Sequence, residues 1–270
     1  MYVNSFDRYE RRDSLIHGLD PRVKVVVTLL FILSNVLLPD GAWLAFLAAW
    51  VLLLWTSRLA RLTAGYTIRR SFIALPFALA AVTVIFTMPG QPVATLAIGA
   101  QRIVISDAGV IRFASIVVRS WLSVQMAILL TATTAFPDLL HALRHLRLPR
   151  LLIGIISFMY RYLFVLVEEA ARLLRAREAR SARPAGGGGG GSLWWRAKVA
   201  GSMVGQLFVR SLDRSERVYS AMLARGYSGR LLTMNPHVMA RRDWLAGVVA
   251  FVFIGLVQVL GRLPGWVGTI

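Results

Sequence analysis

The side chains best suited to specific chemistry are two arginines in small-residue triplets, Ala179-Arg180-Ser181 and Ala224-Arg225-Gly226, each closing a long helical pattern. Arginine presents a planar, permanently charged fork that fits carboxylates and carbonyl groups, and small neighbours let another backbone approach closely. A pair of such tips has the form of a two-pronged plug for a partner protein. Other candidates are weaker. His141 and His145 stand at i, i+4, a spacing that can hold zinc or nickel, but no third ligand lies nearby, and an amphipathic interface helix accounts for both. His17 and His237 read as isolated loop residues. Gly186–Gly191 match a dinucleotide fingerprint trivially; no strand leads into them, and six glycines in a row read as a hairpin linker.

Absent chemistry narrows the function class further. The chain has no cysteine, so disulfides, thiol catalysis and Cys-ligated metal centres are excluded. Neither lysine, Lys24 nor Lys198, is followed by Ser or Thr, so there is no phosphate loop, the chain cannot be its own P-loop ATPase, and any energy must come from elsewhere. There is no HExxH, no GxSxG and no intramembrane acid pair. The chain therefore reads as a non-catalytic subunit with no cofactor or metal of its own. The apolar spans also hold no carboxylate, which argues against an ion-coupled carrier. Arg119 is the one charge well inside a span, where snorkelling or a protein contact explains it better than substrate binding.

These tips need elements to hold them. Of 270 residues 57% are apolar, the mean hydropathy is +0.62 and the formal charge is +18. That balance fits a polytopic all-α membrane protein whose basic segments face anionic headgroups, not a nucleic-acid binder. Five charge-poor runs predict transmembrane helices: Val23–Leu38, Ala42–Trp55, Phe72–Met88, Phe113–Thr134 and Trp244–Leu260. The first 22 residues alternate acids with bases and show no cleavage pattern, so they read as a cytoplasmic terminus, not as a signal peptide. Arg8, Arg11, Arg12, Arg22, Lys24, Arg58, Arg61, Arg69 and Arg70 fall on one side of these spans, against Arg102, Arg112 and Arg262 on the other. The positive-inside rule then predicts a multi-pass inner-membrane protein with a cytoplasmic N-terminus.

The predicted division is a four-span membrane domain (1–135), a cytoplasmic domain of long amphipathic helices (136–243) broken at 186–192, and a last span (244–270). Leu151–Val167 is apolar enough to rival the spans. It is read instead as amphipathic, because Arg161, Glu168, Arg172 and Arg175 form a wet stripe opposite Leu152, Ile155, Met159, Leu163 and Leu166. The second long pattern, about Trp195 to Arg225, is read with Val199, Met203, Leu207, Val218 and Met222 on one side and Arg210, Arg214 and Arg217 on the other. Asp213 and Arg217 can pair at i, i+4.

The two Ala-Arg-small motifs, within Arg175–Ser181 and Met222–Tyr227, resemble the T component of energy-coupling-factor (ECF) importers. Gly18-Leu19-Asp20-Pro21-Arg22-Val23-Lys24, Leu148-Pro149-Arg150 and Met159-Tyr160-Arg161-Tyr162-Leu163-Phe164 with Glu168-Glu169-Ala170 are similar to its CbiQ branch, associated with cobalt or nickel uptake. The likeness covers nearly the whole chain. It implies a transmembrane scaffold that couples two cytoplasmic ABC ATPase subunits, which hold the ATP and Mg, to a membrane substrate-binding S component, CbiM-like, with or without a small CbiN-like subunit. It also implies that Arg180 and Arg225 insert into grooves on the ATPases. Ser181 departs from the glycine of many members, and the hexaglycine insertion has no counterpart in the pattern. A vitamin-importing ECF system and a stand-alone basic membrane-interaction protein are the alternatives.

Overall fold

The computed structural model describes residues 9–10, 12–89, 91–98, 101–180, 192–229 and 239–263. Contacts divide them into two compact units. The larger contains α1 (Pro21–Val36), α2 (Trp43–Leu59), α3 (Ala64–Ser71), α4 (Leu75–Ala81), α5 (Val84–Thr87), β1 (Pro92–Ile98), β2 (Gln101–Ser106), α6 (Asp107–Thr133), α7 (Phe136–His145) and a last helix, Arg241–Arg262. The smaller unit is a pair of long helices, α8 (Arg150–Arg180) and α9 (Leu193–Ala224). The last helix is α10. This division by packing differs from the topological one in that α7 sides with the membrane helices, against α1.

Four of the five predicted spans are continuous helices. α1 starts where Asp20 accepts the Arg22 amide at 2.8 Å and Pro21, which has no N–H to leave unpaired, takes the first helical position. It buries Val25, Thr28, Phe31 and Asn35, one face at three- and four-residue steps. Phe31 meets Ala45, Phe46, Ala49 and Leu53 of α2, Leu122 of α6, and Ile254 and Val257 of α10 in the main core. Polar groups reinforce it: Asn35 donates to the Arg119 carbonyl (2.9 Å) and to Ser123 Oγ (3.0 Å), and Gln258 donates to Ser34 Oγ (2.6 Å). Such cross-helix bonds matter in lipid, where apolar contact alone drives association weakly. Gly261 marks a close approach, since a Cβ there would lie 2.5 Å from Leu38 Cδ2 and 3.3 Å from Ala45 Cβ, so Leu38 would have to shift to admit one.

The third predicted span, Phe72–Met88, is corrected. It is broken into a 3-10 turn at Phe72–Ala74, α4 and α5. Pro76 lacks the amide that would bond back one turn, and its ring clashes with the carbonyl there. An antiparallel hairpin follows, β1 with β2, from Pro92↔Ser106 to Ile98↔Gln101 with an irregularity between Pro92 and Ala94. It is the only sheet among the described residues, and no sequence signal predicted it. The architecture is otherwise all-α, and α6, α8 and α10 are each long and apolar enough to cross a membrane. For all three that rests on length and composition alone; on α8 the predicted wet stripe, Arg161, Glu168, Arg172 and Arg175, is exposed, and so are Leu152, Ile155, Met159 and Leu163.

Arg119 contacts its own chain. It donates to the Leu38 carbonyl at 2.6 Å, pairs with Asp40 at 2.7 Å, and its guanidinium lies 5.8 Å from the Phe46 ring centroid. The side chain thus reaches along α6 to the α1–α2 turn, tying two spans together.

Candidate functional site

The smaller unit carries the arginine tips. α9 begins at Ser192, whose Oγ accepts the Trp195 amide at 3.3 Å. Glu169 of α8 fastens the pair: its Oε1 accepts from Arg210 of α9 at 2.7 Å, while Oε2 bonds Arg172 on its own helix. Hydrogen bonds from Arg172 and then Arg210 hold the Glu169 carboxyl below the usual glutamate range. The start of α8 faces the end of α9: Phe158, Met159 and Tyr162 line one wall of an open apolar groove of about 720 Å³, and Val218, Tyr219 and Met222 line the other. The helices are therefore antiparallel.

Antiparallel order places the two tips apart. Arg180 is the last residue of α8 and Arg225 caps α9, so they mark opposite ends of a hairpin whose helices, at 1.5 Å per residue, are each roughly 45 Å long. Ala179, Arg180, Ala224, Arg225 and Gly226 are all exposed. Among the described residues neither tip arginine forms an ion pair, whereas Arg172 and Arg210 both do. Ser181 and the glycines of 186–191 lie outside the described residues.

The local fold explains why the second triplet ends in glycine. Gly226 has φ +80°, its amide donates to the Leu223 carbonyl at 2.9 Å, and the Tyr227 amide reaches back to Met222 at 3.0 Å. These two bonds are the Schellman termination, which needs a left-handed residue after the cap. Arg225 is thereby held at the turn with its side chain outward. A cation at a helix C-terminus is also favoured by the helix dipole, which contributes at both tips without requiring a partner.

The face assignment on α9 is corrected. Met203, Leu207, Arg210, Arg214 and Val218 follow one another at steps of three or four and share the side toward α8, so Arg210 and Arg214 do not oppose the apolar residues. The opposite side bears an exposed apolar series that includes Trp194, Phe208, Leu212 and Leu223. Arg210 of α9 pairs with Glu169, while Asp213 and Arg217 form no ion pair with each other among the described residues. Counting helical steps from Glu169 and Arg210 as possible partners would have found the clamp; their 41-residue separation hid it.

In the larger unit the described histidines, His17, His141 and His145, serve packing, and His237 lies outside the described residues. His141 is buried on α7 with its Nε2 3.2 Å from Arg22 Nη2, and His145 Nδ1 is 3.1 Å from the His141 carbonyl. A guanidinium thus occupies the place a metal would need. No group of three or more His, Asp or Glu side chains suited to a metal occurs among the described residues. His17 lies in a turn, as read, but is not isolated: its Nδ1 is 2.6 Å from Ser14 Oγ and its Nε2 3.0 Å from the Glu10 carbonyl. Desolvation is the main cause that lowers its pKa from the ordinary histidine value. Around it, Lys24 Nζ donates to the His17 and Thr133 carbonyls, both at 3.1 Å, and Asp243 accepts the Asp20 amide at 3.1 Å. The Gly18–Lys24 run is accordingly a hub joining the N-terminal segment, α1, α6 and α10.

Fold and tips together define a polytopic helical membrane subunit with an exposed pair of long, arginine-ended helices. Residues 12–236 match the family of cobalt transport protein CbiQ, and the chain belongs to that family, the CbiQ branch of ECF transporter T components. It is 30% identical over 94% of its length to the energy-coupling factor transporter transmembrane protein EcfT of Brevibacillus brevis, covering 96% of that protein. It is 27% identical to cobalt transport protein CbiQ of Salmonella typhimurium over 84% of this chain and 98% of the relative. A CbiQ from Rhodobacter capsulatus is 32% identical over 56% of this chain and 60% of its own length.

Proposed function

We propose that this multi-pass subunit couples ATP hydrolysis in two cytoplasmic ABC ATPase subunits to a separate substrate-binding membrane component. Arg180 and Arg225 are the docking residues, with Ala179, Ser181, Ala224 and Gly226 allowing close backbone approach. The observation that carries this reading is the antiparallel pair with an exposed arginine at each end that forms no ion pair among the described residues. One guanidinium per ATPase groove requires two separated tips, and a single helical hairpin supplies them.

The hairpin then acts as a lever. When the ATPase dimer closes on nucleotide, its grooves move, and the tips follow because each fork is held by carboxylate or carbonyl groups. Motion at the tips shifts the apolar faces of α8 and α9 against the membrane component. Coupling of this kind requires contacts that differ between the open and closed dimers, and exposed tips on a hairpin joined by one ionic clamp can supply them. The excess of Arg and Lys before the first span and after the second supports a cytoplasmic N-terminus and the same side for the hairpin.

Cobalt or nickel is the cargo this reading favours, on the family's description and the names of the Salmonella and Rhodobacter relatives. A different cargo is the second reading, since relatives named only as EcfT span 94% of the chain. Affinity purification with the neighbouring subunits tests the docking. The Arg180→Ala, Arg225→Ala double variant should lose the ATPases and ATP-dependent uptake while retaining its membrane insertion; unchanged recovery of ATPase and unchanged uptake would falsify the assignment.

A further inference from the structure

The start of α9 exposes Leu193 (86%), Trp194 (81%) and Trp195 (48%), beside Arg196 and Lys198. Three large apolar side chains in succession are spaced about 100° apart around the helix, so together they girdle its first turn. A protein groove covers one side of a helix and would leave part of this girdle in water. A fluid layer into which the helix end dips surrounds all of it. The charge pattern is one-signed as well: no Asp or Glu occurs between Glu178 and Asp213, a stretch holding Arg180, Arg183, Arg196, Lys198 and Arg210. Farther along the exposed apolar side, Asp213 and Glu216 lie among the apolar residues, so this signature is confined to the first part of α9.

We propose that the first turn of α9 is an interfacial anchor seated among the headgroups of an anionic membrane leaflet. Tryptophans prefer this zone because the ring is apolar while its N–H stays hydrated. Arg196 and Lys198 lay their stems along the rings and reach the phosphates. The helix dipole adds a partial positive charge at the same end. Anchoring there fixes to the bilayer the end of the hairpin that also carries Arg180 and leaves Arg225 at the far end, and it is argued from the first turn of α9 without the ATPase-docking reading.

The chain lacks cysteine, so Ala197→Cys, exposed and one turn from Trp194, gives a single site for an environment-sensitive fluorophore. The full-length protein carrying it is placed in nanodiscs of phosphatidylcholine with phosphatidylglycerol, or of phosphatidylcholine alone. The anchor predicts blue-shifted emission and quenching by headgroup-level nitroxide lipid in the anionic discs, both abolished by adding Trp194→Ala and Trp195→Ala. Restoring aromatic bulk with Phe at both positions should recover part of the shift. Arg196→Gln and Lys198→Gln should each weaken the inserted state on the order of fivefold. A water-like spectrum in anionic discs, or a shift that appears only after other subunits are added, would overturn the proposal.

Discussion

The Gly18–Lys24 hub and the arginine tips are both rich in charge, yet they use it in opposite ways. At the hub, Asp243 is 2% exposed and accepts the Asp20 and Ala240 amides at 3.1 and 2.8 Å, while Lys24 spends its ammonium on two carbonyls. At the tips, Arg180 and Arg225 are exposed and form no ion pair among the described residues. Buried polar groups left unpaired cost stability, so the hub has to be satisfied within the chain. Exposed arginines carry no such penalty and stay available to a partner. Charge inside this fold holds the helices together, whereas charge at its tips is left exposed, as the proposed docking requires.

This contrast can be broken from either side. The largest stability effect is expected at Asp243→Ala, which strands two backbone amides and should lower stability by about 3 kcal/mol. Thermal unfolding in detergent would show it, and Asp243→Asn, which keeps one acceptor oxygen, should lose less. By contrast, Arg225→Ala should change the melting midpoint little, within about 0.5 kcal/mol, because surface substitutions away from buried networks rarely matter more. A large loss of stability there would erase the distinction between hub and tip.

Gly226→Ala sharpens the comparison, since it alters the turn that presents Arg225 without touching its charge. Left-handed backbone costs a non-glycine residue about 1 kcal/mol, so the last turn of α9 should fray and ATPase recovery fall, although less than on removal of Arg225. The smallest effect is a pH dependence at His17. Burial keeps its folded pKa below the ordinary 6.5, so its contribution to stability is present above that value and is lost as pH falls through the folded pKa. Melting midpoints should therefore decline on acidification below about pH 6.5, and His17→Asn should flatten that decline.

Much of this was legible in the sequence because hydropathy reports burial in lipid directly. The charge-poor runs of α1, α2, α6 and α10 stand out for that reason, and the tips stand out because small–Arg–small triplets close two long patterns. The break after Ser71 was missed, since hydropathy averages over Pro76 although its backbone cannot continue the helix. Long-range pairs were also invisible: Asp20 meets Asp243 across 223 residues, and nothing local to either announces the other. On α9 the error was one of geometry. Arg210 and Arg214 were assigned to water by residue type, when their three- and four-residue steps from Leu207 place them toward α8.

The central claim is that opposite ends of one hairpin grip two ATPase chains at once. Because the chain has no native cysteine, Arg180→Cys and Arg225→Cys can be cross-linked singly or together to the ATPases in the intact assembly. The account predicts one ATPase captured at each position, and with both cysteines a product containing this chain and two ATPase chains. Cross-links from both positions that reach only a single ATPase chain, or from neither, would contradict it.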